Sequence, residues 1–141
     1  MPVPPLTEIR ETFAMLDDWE DRYRYLIEIG KALPVMPADA RVPENIVHGC
    51  QSQVWIRHHR RNGRLVFELD SDALIVRGLI AIVLAALDDK TPEALLDVDV
   101  DALFEELSLK RHLSPSRGNG LSAMVERVRR TAREAARVAT G

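Results

Sequence analysis

Asn62-Gly63 stands between two β-prone runs, Val54-Trp55-Ile56 before it and Leu65 to Leu69 after it. An Asn-Gly pair is the strongest short hairpin signal, because both residues tolerate the positive φ of a two-residue turn. Ala73 to Leu87 follows almost at once, apolar on nearly every side, with Arg77 and Gly78 as the interruptions. A helix that is hydrophobic all round has no face for water and belongs inside a domain, packed on a sheet. These two neighbours constrain the fold more than any other stretch. The sheet is small and antiparallel, and other helices must cover what it and the apolar helix leave open.

The rest of the chain supplies those helices. Thr7 is placed to cap a short one carrying Ile9, Phe13 and Leu16 on one stripe. Asp17 and Asp18 suit the start of a second, with Glu20 and Asp21 near the positive end of its dipole. Its buried face reads Trp19, Tyr23, Leu26, Ile27, Gly30 and Leu33, and the two aromatic residues read as core. Pro34 stops it, and Pro34, Pro37 and Pro43 mark a connecting loop that leads to Ile46-Val47, another β-prone pair.

Beyond the hairpin, Asp70-Ser71-Asp72 reads as the cap of the apolar helix. Thr91-Pro92-Glu93 has the cap and first-turn proline of another helix, and Leu103, Phe104 and Leu107 mark one more. Ser108 to Gly120 is polar and turn-rich. The final helix carries Leu121, Met124, Val125, Val128 and Ala132 inside and arginines outside. The order is two helices, a small antiparallel sheet, then three or four helices. That is an α+β class with helices covering the sheet. Without repeats or low-complexity tracts, the expectation is a single domain over residues 1–141, with 1–6 flexible.

Composition narrows the function classes. The 141 residues are 46% hydrophobic and 29% charged, enough apolar material for an ordinary core. The formal net charge of -3 gives no overall basic field for nucleic acid or an anionic membrane. Charge is nonetheless blocked along the chain. Gln51 to Arg64 has four arginines and no acid, whereas Leu65 to Leu109 has eleven acids against Arg77 and Lys90. The tail is basic again at Arg127, Arg129, Arg130, Arg133 and Arg137. Such blocks read as solvated faces or as patches for a complementary protein partner. The apolar run from Leu74 to Leu87 is shorter than the roughly 20 residues that cross a bilayer. With no export signal at the N-terminus and a single cysteine, the expected location is a reducing cytoplasm.

That cysteine is Cys50, within Gly49-Cys50-Gln51-Ser52-Gln53-Val54-Trp55. With no partner in its own chain it is neither an internal disulfide nor part of a multi-cysteine metal site. It is either a buried apolar filler or a reactive thiol. Gly49 lets the backbone bend beside the sulfur, and small polar neighbours are poor core material, so the thiol reads as presented on a loop tip before the first hairpin strand.

Three chemistries are open to it. A hydrolase or transferase nucleophile needs a base and an oxyanion hole, with His48, His58, His59 and His112 as the available bases. A metal site needs three or four ligands, and Cys50, Asp72 and His112 show no ligand spacing. A sulfur carrier needs one accessible thiol that accepts sulfur as a persulfide, some shelter for that cargo, and no base, metal or cofactor of its own. No glycine-rich phosphate loop is present. The flanking residues meet the carrier's short list best.

Longer strings sharpen this reading. Asp18-Trp19-Glu20-Asp21-Arg22-Tyr23, Leu26-Ile27-Glu28, Gly30-Lys31, Leu33-Pro34, Asn45 and Val47 precede the Gly49–Trp55 run. After it come Asp70-Ser71-Asp72-Ala73, Gly78-Leu79-Ile80-Ala81, Thr91-Pro92, His112 to Arg117, Asn119-Gly120-Leu121 and Ala123-Met124. In this order, over nearly the whole chain and without departure at the motif positions, the sequence resembles the SufE family of sulfur acceptors, CsdE-like members included.

The resemblance implies an α+β fold like that of the IscU-type scaffolds, with the cysteine loop tucked into an apolar cavity. Cys50 matches the acceptor cysteine, with Gly49, Gln51, Ser52 and Gln53 around it, and Asp72 and Arg117 match residues that face the partner or control the loop. Asp72 and Arg117 are further expected to hold that loop closed at rest. The implied partners are a cysteine desulfurase, SufS- or CsdA-like, and a downstream iron–sulfur scaffold. Pyridoxal phosphate belongs to the desulfurase, and no metal, nucleic acid or membrane is implied. The protein is then a monomer or homodimer that activates an enzyme rather than a stand-alone enzyme. The alternative is a self-sufficient cysteine hydrolase or transferase. The three histidines His48, His58 and His59 fall outside the family motifs.

Overall fold

A computed structural model describes residues 3–140, and side chains through 138. Met1 and Pro2, part of the stretch expected to be flexible, lie outside the described residues. Val3 already packs against the core. Helix α1 spans Leu6–Met15 and buries Ile9 and Phe13; Pro5, not Thr7, is its N-cap, with no side-chain cap bond. Helix α2 spans Trp19–Lys31, and the Asp18 side chain accepts from Glu20 N as its cap. Two short 3₁₀ turns, Ala38–Ala40 and Pro43–Asn45, follow in the proline-rich connection.

Strand β1 (Val54–Arg61) pairs antiparallel with β2 (Arg64–Ser71), in register Val54 with Ser71 through Arg61 with Arg64. Asn62 at φ 55° and Gly63 at φ 77° form the connecting turn. Positive φ at both positions is the primed turn whose twist suits a hairpin. Ile46 adds an isolated bridge to Trp55, and the Val47 amide donates to the Val54 carbonyl at 2.8 Å.

Helix α3 (Leu74–Leu87) is buried along almost its entire length, as its composition requires. It crosses α2 at a pair of glycines. A Cβ on Gly78 would lie 2.2 Å from the Leu26 carbonyl oxygen, and one on Gly30 would lie 2.6 Å from that of Leu74. No residue with a side chain fits this crossing at its present separation. The remaining helices are α4 (Pro92–Leu96), α5 (Val100–Glu106), α6 (Leu109–His112) and α7 (Pro115–Thr140). The Thr91 hydroxyl caps α4 by accepting from Ala94 N at 3.2 Å.

Three readings change. Among the described residues five helices follow the hairpin, because the stretch read as loop from Ser108 to Gly120 holds α6 and the first turns of α7. Pro115 opens α7, and the Ser114 hydroxyl accepts from Arg117 N. Proline has no amide to lose at a helix start, so it nucleates there despite glycines just inside.

Trp19 and Tyr23 pack against the core from its margin and are only half-buried: Trp19 also stacks on His112 with centroids 4.5 Å apart, and Tyr23 lies under Arg117.

The third change is Asp70-Ser71-Asp72, which does not cap α3, since Asp70 and Ser71 belong to β2 and Ala73 is the N-cap. Asp70 and Arg77 are instead an ion pair inside the protein, 1% and 8% exposed. Arg77 also donates to Gly30 O at 2.9 Å and to Leu33 O, while Asp70 accepts from Met36 N at 2.9 Å and Ser71 N at 2.8 Å. These bonds tie the end of α2, the loop after it, β2 and α3 together. A buried ion pair of this kind is tolerable only because its remaining hydrogen-bonding groups are satisfied.

Candidate functional site

Gly49 sits at φ 97°, a conformation that L side chains rarely adopt, and an added Cβ would press on Ala123 at 3.3 Å. The expected bend beside the sulfur is therefore real. The loop it opens runs from the Val47–Val54 bond to the start of β1. Its far stem is held by Ser71, whose hydroxyl donates to the Gln53 carbonyl at 2.7 Å.

Cys50 is half-buried on this loop and is not bonded to another cysteine. Its side chain lines a cavity of about 240 Å³. Val54, Val76, Leu79, Leu121 and Met124 form the apolar lining, while Gln51, Ser52, Ser114, Ser116 and Arg117 supply the polar part. The thiol donates to the Gly120 carbonyl of α7 at 3.6 Å. Burial pushes the Cys50 thiol up from its ordinary value. A raised value means the resting group is the thiol, which is far less nucleophilic than the thiolate.

Among the described residues, neither a histidine nor a carboxylate lines this cavity. His48 is exposed, His58 and His59 lie along β1, and His112 stacks on Trp19. No group of three or more His, Cys, Asp or Glu side chains able to hold a metal occurs among the described residues.

The sequence-chosen residues divide into two sets. Gly49, Cys50, Gln51, Ser52 and Gln53 form the loop, and Arg117 comes to the same cavity from α7. Asp72 does not line it. It is exposed at the junction of β2 and α3, one residue beyond Ser71. Of the two residues expected to hold the loop closed, Arg117 lines the Cys50 cavity and lies 5.9 Å from the Tyr23 ring centroid, whereas Asp72 makes no hydrogen bond or ion pair to the loop among the described residues. The loop is held by the Gly120 carbonyl and by Ser71. Sequence reasoning missed Ser71, which it used as a cap, and the parts played by Val76, Leu79 and Gly120. The apolar stripes on α3 and α7 were legible, but not that both stripes end under the sulfur.

Fold and site together define a small α+β domain that guards one thiol in a mixed cavity, lined by no histidine or carboxylate among the described residues. Comparison with known proteins places that class in a family. The model of the SufE Fe–S metabolism associated domain matches residues 7–132. An uncharacterized SufE-like protein of Rhizobium etli is 48% identical over 132 residues, covering 91% of this chain and 89% of its own. A second, from Rhizobium meliloti, is 48% identical over 128 residues, covering 88% and 91%. The solution structure of a hypothetical protein from Thermus thermophilus superposes with TM-score 0.73 at 26% identity, over 94% of this chain and 97% of that one. The chain belongs to the SufE family, whose domain is associated with Fe–S metabolism. No helix among the described residues is long and apolar enough to cross a membrane.

Proposed function

We propose that the protein is a persulfide carrier that takes sulfur from a pyridoxal-phosphate cysteine desulfurase onto Cys50. The Cys50 thiolate attacks the outer sulfur of the donor's cysteine persulfide. One S–S bond forms, the donor's S–S bond breaks, and the donor cysteine leaves as a thiolate that takes up the proton lost by Cys50. No net oxidation or reduction accompanies the exchange. The sulfur then passes by the same kind of step to a nucleophile on an iron–sulfur scaffold. Removing the persulfide raises the turnover of the desulfurase. The pyridoxal phosphate stays with the donor.

The observation that carries this reading is the guarded thiol without a neighbouring base. A hydrolytic cysteine needs a group to take its proton and donors for an oxyanion, whereas a carrier needs shelter. The added sulfur lies about 2 Å beyond Sγ, a reach for which a 240 Å³ cavity leaves room. The raised thiol pKa also suits a carrier that is quiet until docking draws the loop out. Arg117 at the cavity and Asp72 on the exposed shoulder beyond Ser71 are the residues we assign to the partner-facing surface.

The test is intact-protein mass after incubation with a cysteine desulfurase and cysteine, comparing the native chain with Cys50→Ser. The reading expects a reductant-sensitive gain of one sulfur on the native chain alone, with faster alanine production. Equal alanine production with both proteins, and no added mass on either, would return the hydrolase or transferase reading to first place.

A further inference from the structure

The two edges of the hairpin are finished differently. Along β2, Leu65 N donates to Lys90 O at 2.8 Å, Asp89 N to Leu65 O at 2.9 Å and Phe67 N to the Asp88 carboxylate at 2.7 Å. These bonds fix which groups point outward: the odd-numbered residues of β2, and therefore the even-numbered residues of β1. Val54, first of the β1 set, has its carbonyl bonded to Val47 N. The bridge of Ile46 to Trp55 covers the edge as far as Ile56; past it, His58 and Arg60 make no backbone hydrogen bond along the outer edge among the described residues.

That open edge is also cationic. Val54, Trp55 and Ile56 are buried, but His58 through Arg61 are exposed and extend beyond the core. Arg57 pairs with Glu68 across the strands at 3.1 Å, whereas Arg60 and Arg61 form no ion pair among the described residues. Acids are near: Asp39 acts on Arg57, Glu134 on His58 and Asp88 on Arg61, yet none of them forms an ion pair with Arg60 or Arg61 among the described residues. A row of charge on an edge repels a like-charged strand, which is how domains avoid pairing with their own copies. The same charge selects an acidic strand.

We propose that the outer edge of β1 is a docking site for an extended acidic segment of a partner protein. The segment adds as a third strand beside His58–Arg61, with its alternate carboxylates on the face of His59 and Arg61 and within the field of Arg60. Main-chain bonds give such strand addition its affinity, and side chains on alternate positions give it selectivity. A second copy of this chain is a poor occupant, because antiparallel pairing of two β1 edges would set Arg57–Arg61 against itself. A nucleic acid is a poorer fit than a peptide, since only a peptide strand pairs with an alternating row of N–H and C=O groups. The proposal does not depend on sulfur chemistry at Cys50.

The test uses the full chain and a labelled peptide that alternates glutamate with valine, followed by fluorescence anisotropy and by amide hydrogen exchange. The expected result is saturable binding that weakens by about tenfold between low and physiological salt. At saturation, exchange at the His58 and Arg60 amides slows by about tenfold or more. The double variant Arg60→Glu/Arg61→Glu, both changes at exposed positions, should lose at least about tenfold in affinity with an unchanged circular dichroism spectrum. The proposal is overturned by unchanged exchange at these two amides, by equal binding of a backbone N-methylated peptide, or by no binding up to millimolar peptide. Equal binding of the glutamine analogue removes the charge selection. Tighter binding of a single-stranded oligonucleotide assigns the face to nucleic acid instead.

Discussion

Replacing Arg77 by methionine tests whether the buried polar centre supports the cysteine loop. The change removes donors to the Asp70 carboxylate and to the carbonyls of Gly30 and Leu33, all without access to water. Breaking a buried ion pair by removing one partner costs about 3–5 kcal/mol, because the other charge stays behind. Asp70 keeps Met36 N and Ser71 N as donors, and methionine refills most of the arginine stem, so the lower end, about 3 kcal/mol, applies. That is a large part of the roughly 5–15 kcal/mol that holds a domain together. Urea unfolding measures it.

Because Ser71 both accompanies Asp70 and holds the Gln53 carbonyl, the same variant should alkylate faster at Cys50 in the absence of denaturant. The double variant Arg77→Met/Asp70→Asn removes the stranded charge while keeping an acceptor for Met36 N. It should be more stable than Arg77→Met alone, by about 1 kcal/mol or more. A loss below about 1 kcal/mol for Arg77→Met, or a double variant weaker than the single, would refute the reasoning.

Two further outcomes can be stated. Gly78→Ala places a methyl 2.2 Å from the Leu26 carbonyl, backbone against backbone, so α2 and α3 must part. The cost should reach about 1–3 kcal/mol or more in the same urea titration, and an unshifted midpoint would contradict the crossing described here. Burial raises the Cys50 pKa, so the folded protein holds that proton more tightly than the unfolded chain. Its contribution to stability is then present below the free-thiol value of about 8.5 and is lost as pH rises through the folded value. Iodoacetamide rates should therefore titrate above about 8.5 in the folded chain and fall back to it in urea; a folded midpoint below the free-thiol value would rule out a guarded thiol.

Features that depend on near neighbours in the chain were legible before any fold was known. Asn62-Gly63 set the hairpin turn because it needs positive φ at two adjacent positions. The unbroken apolarity of Ala73–Leu87 placed α3 inside, and Asp18 and Thr91 marked helix starts through bonds to amides two and three residues on. Cys50 stood out because it has no partner, and the Gly49–Trp55 run carried the family with it. Local signals also misled where two structures compete for the same residues. Thr7 and Asp70-Ser71-Asp72 have the chemistry of caps, and the glycines near Gly118 have that of a loop, yet packing assigned them otherwise.

Contacts that join distant segments came only with the packed fold. Arg77 looked like a blemish in an apolar run until its guanidinium met Asp70, Gly30 and Leu33. The guard over Cys50 is a carbonyl seventy residues away, and the brace under Gln53 is a serine on the next strand. Arg117 and Asp72 were named together by the sequence, yet only Arg117 lines the cavity: a charge pattern names possible partners, but distance selects them. Periodicity reports which face of an element is apolar. Only the packing of α3 and α7 against the hairpin reports that those faces close beneath one sulfur atom.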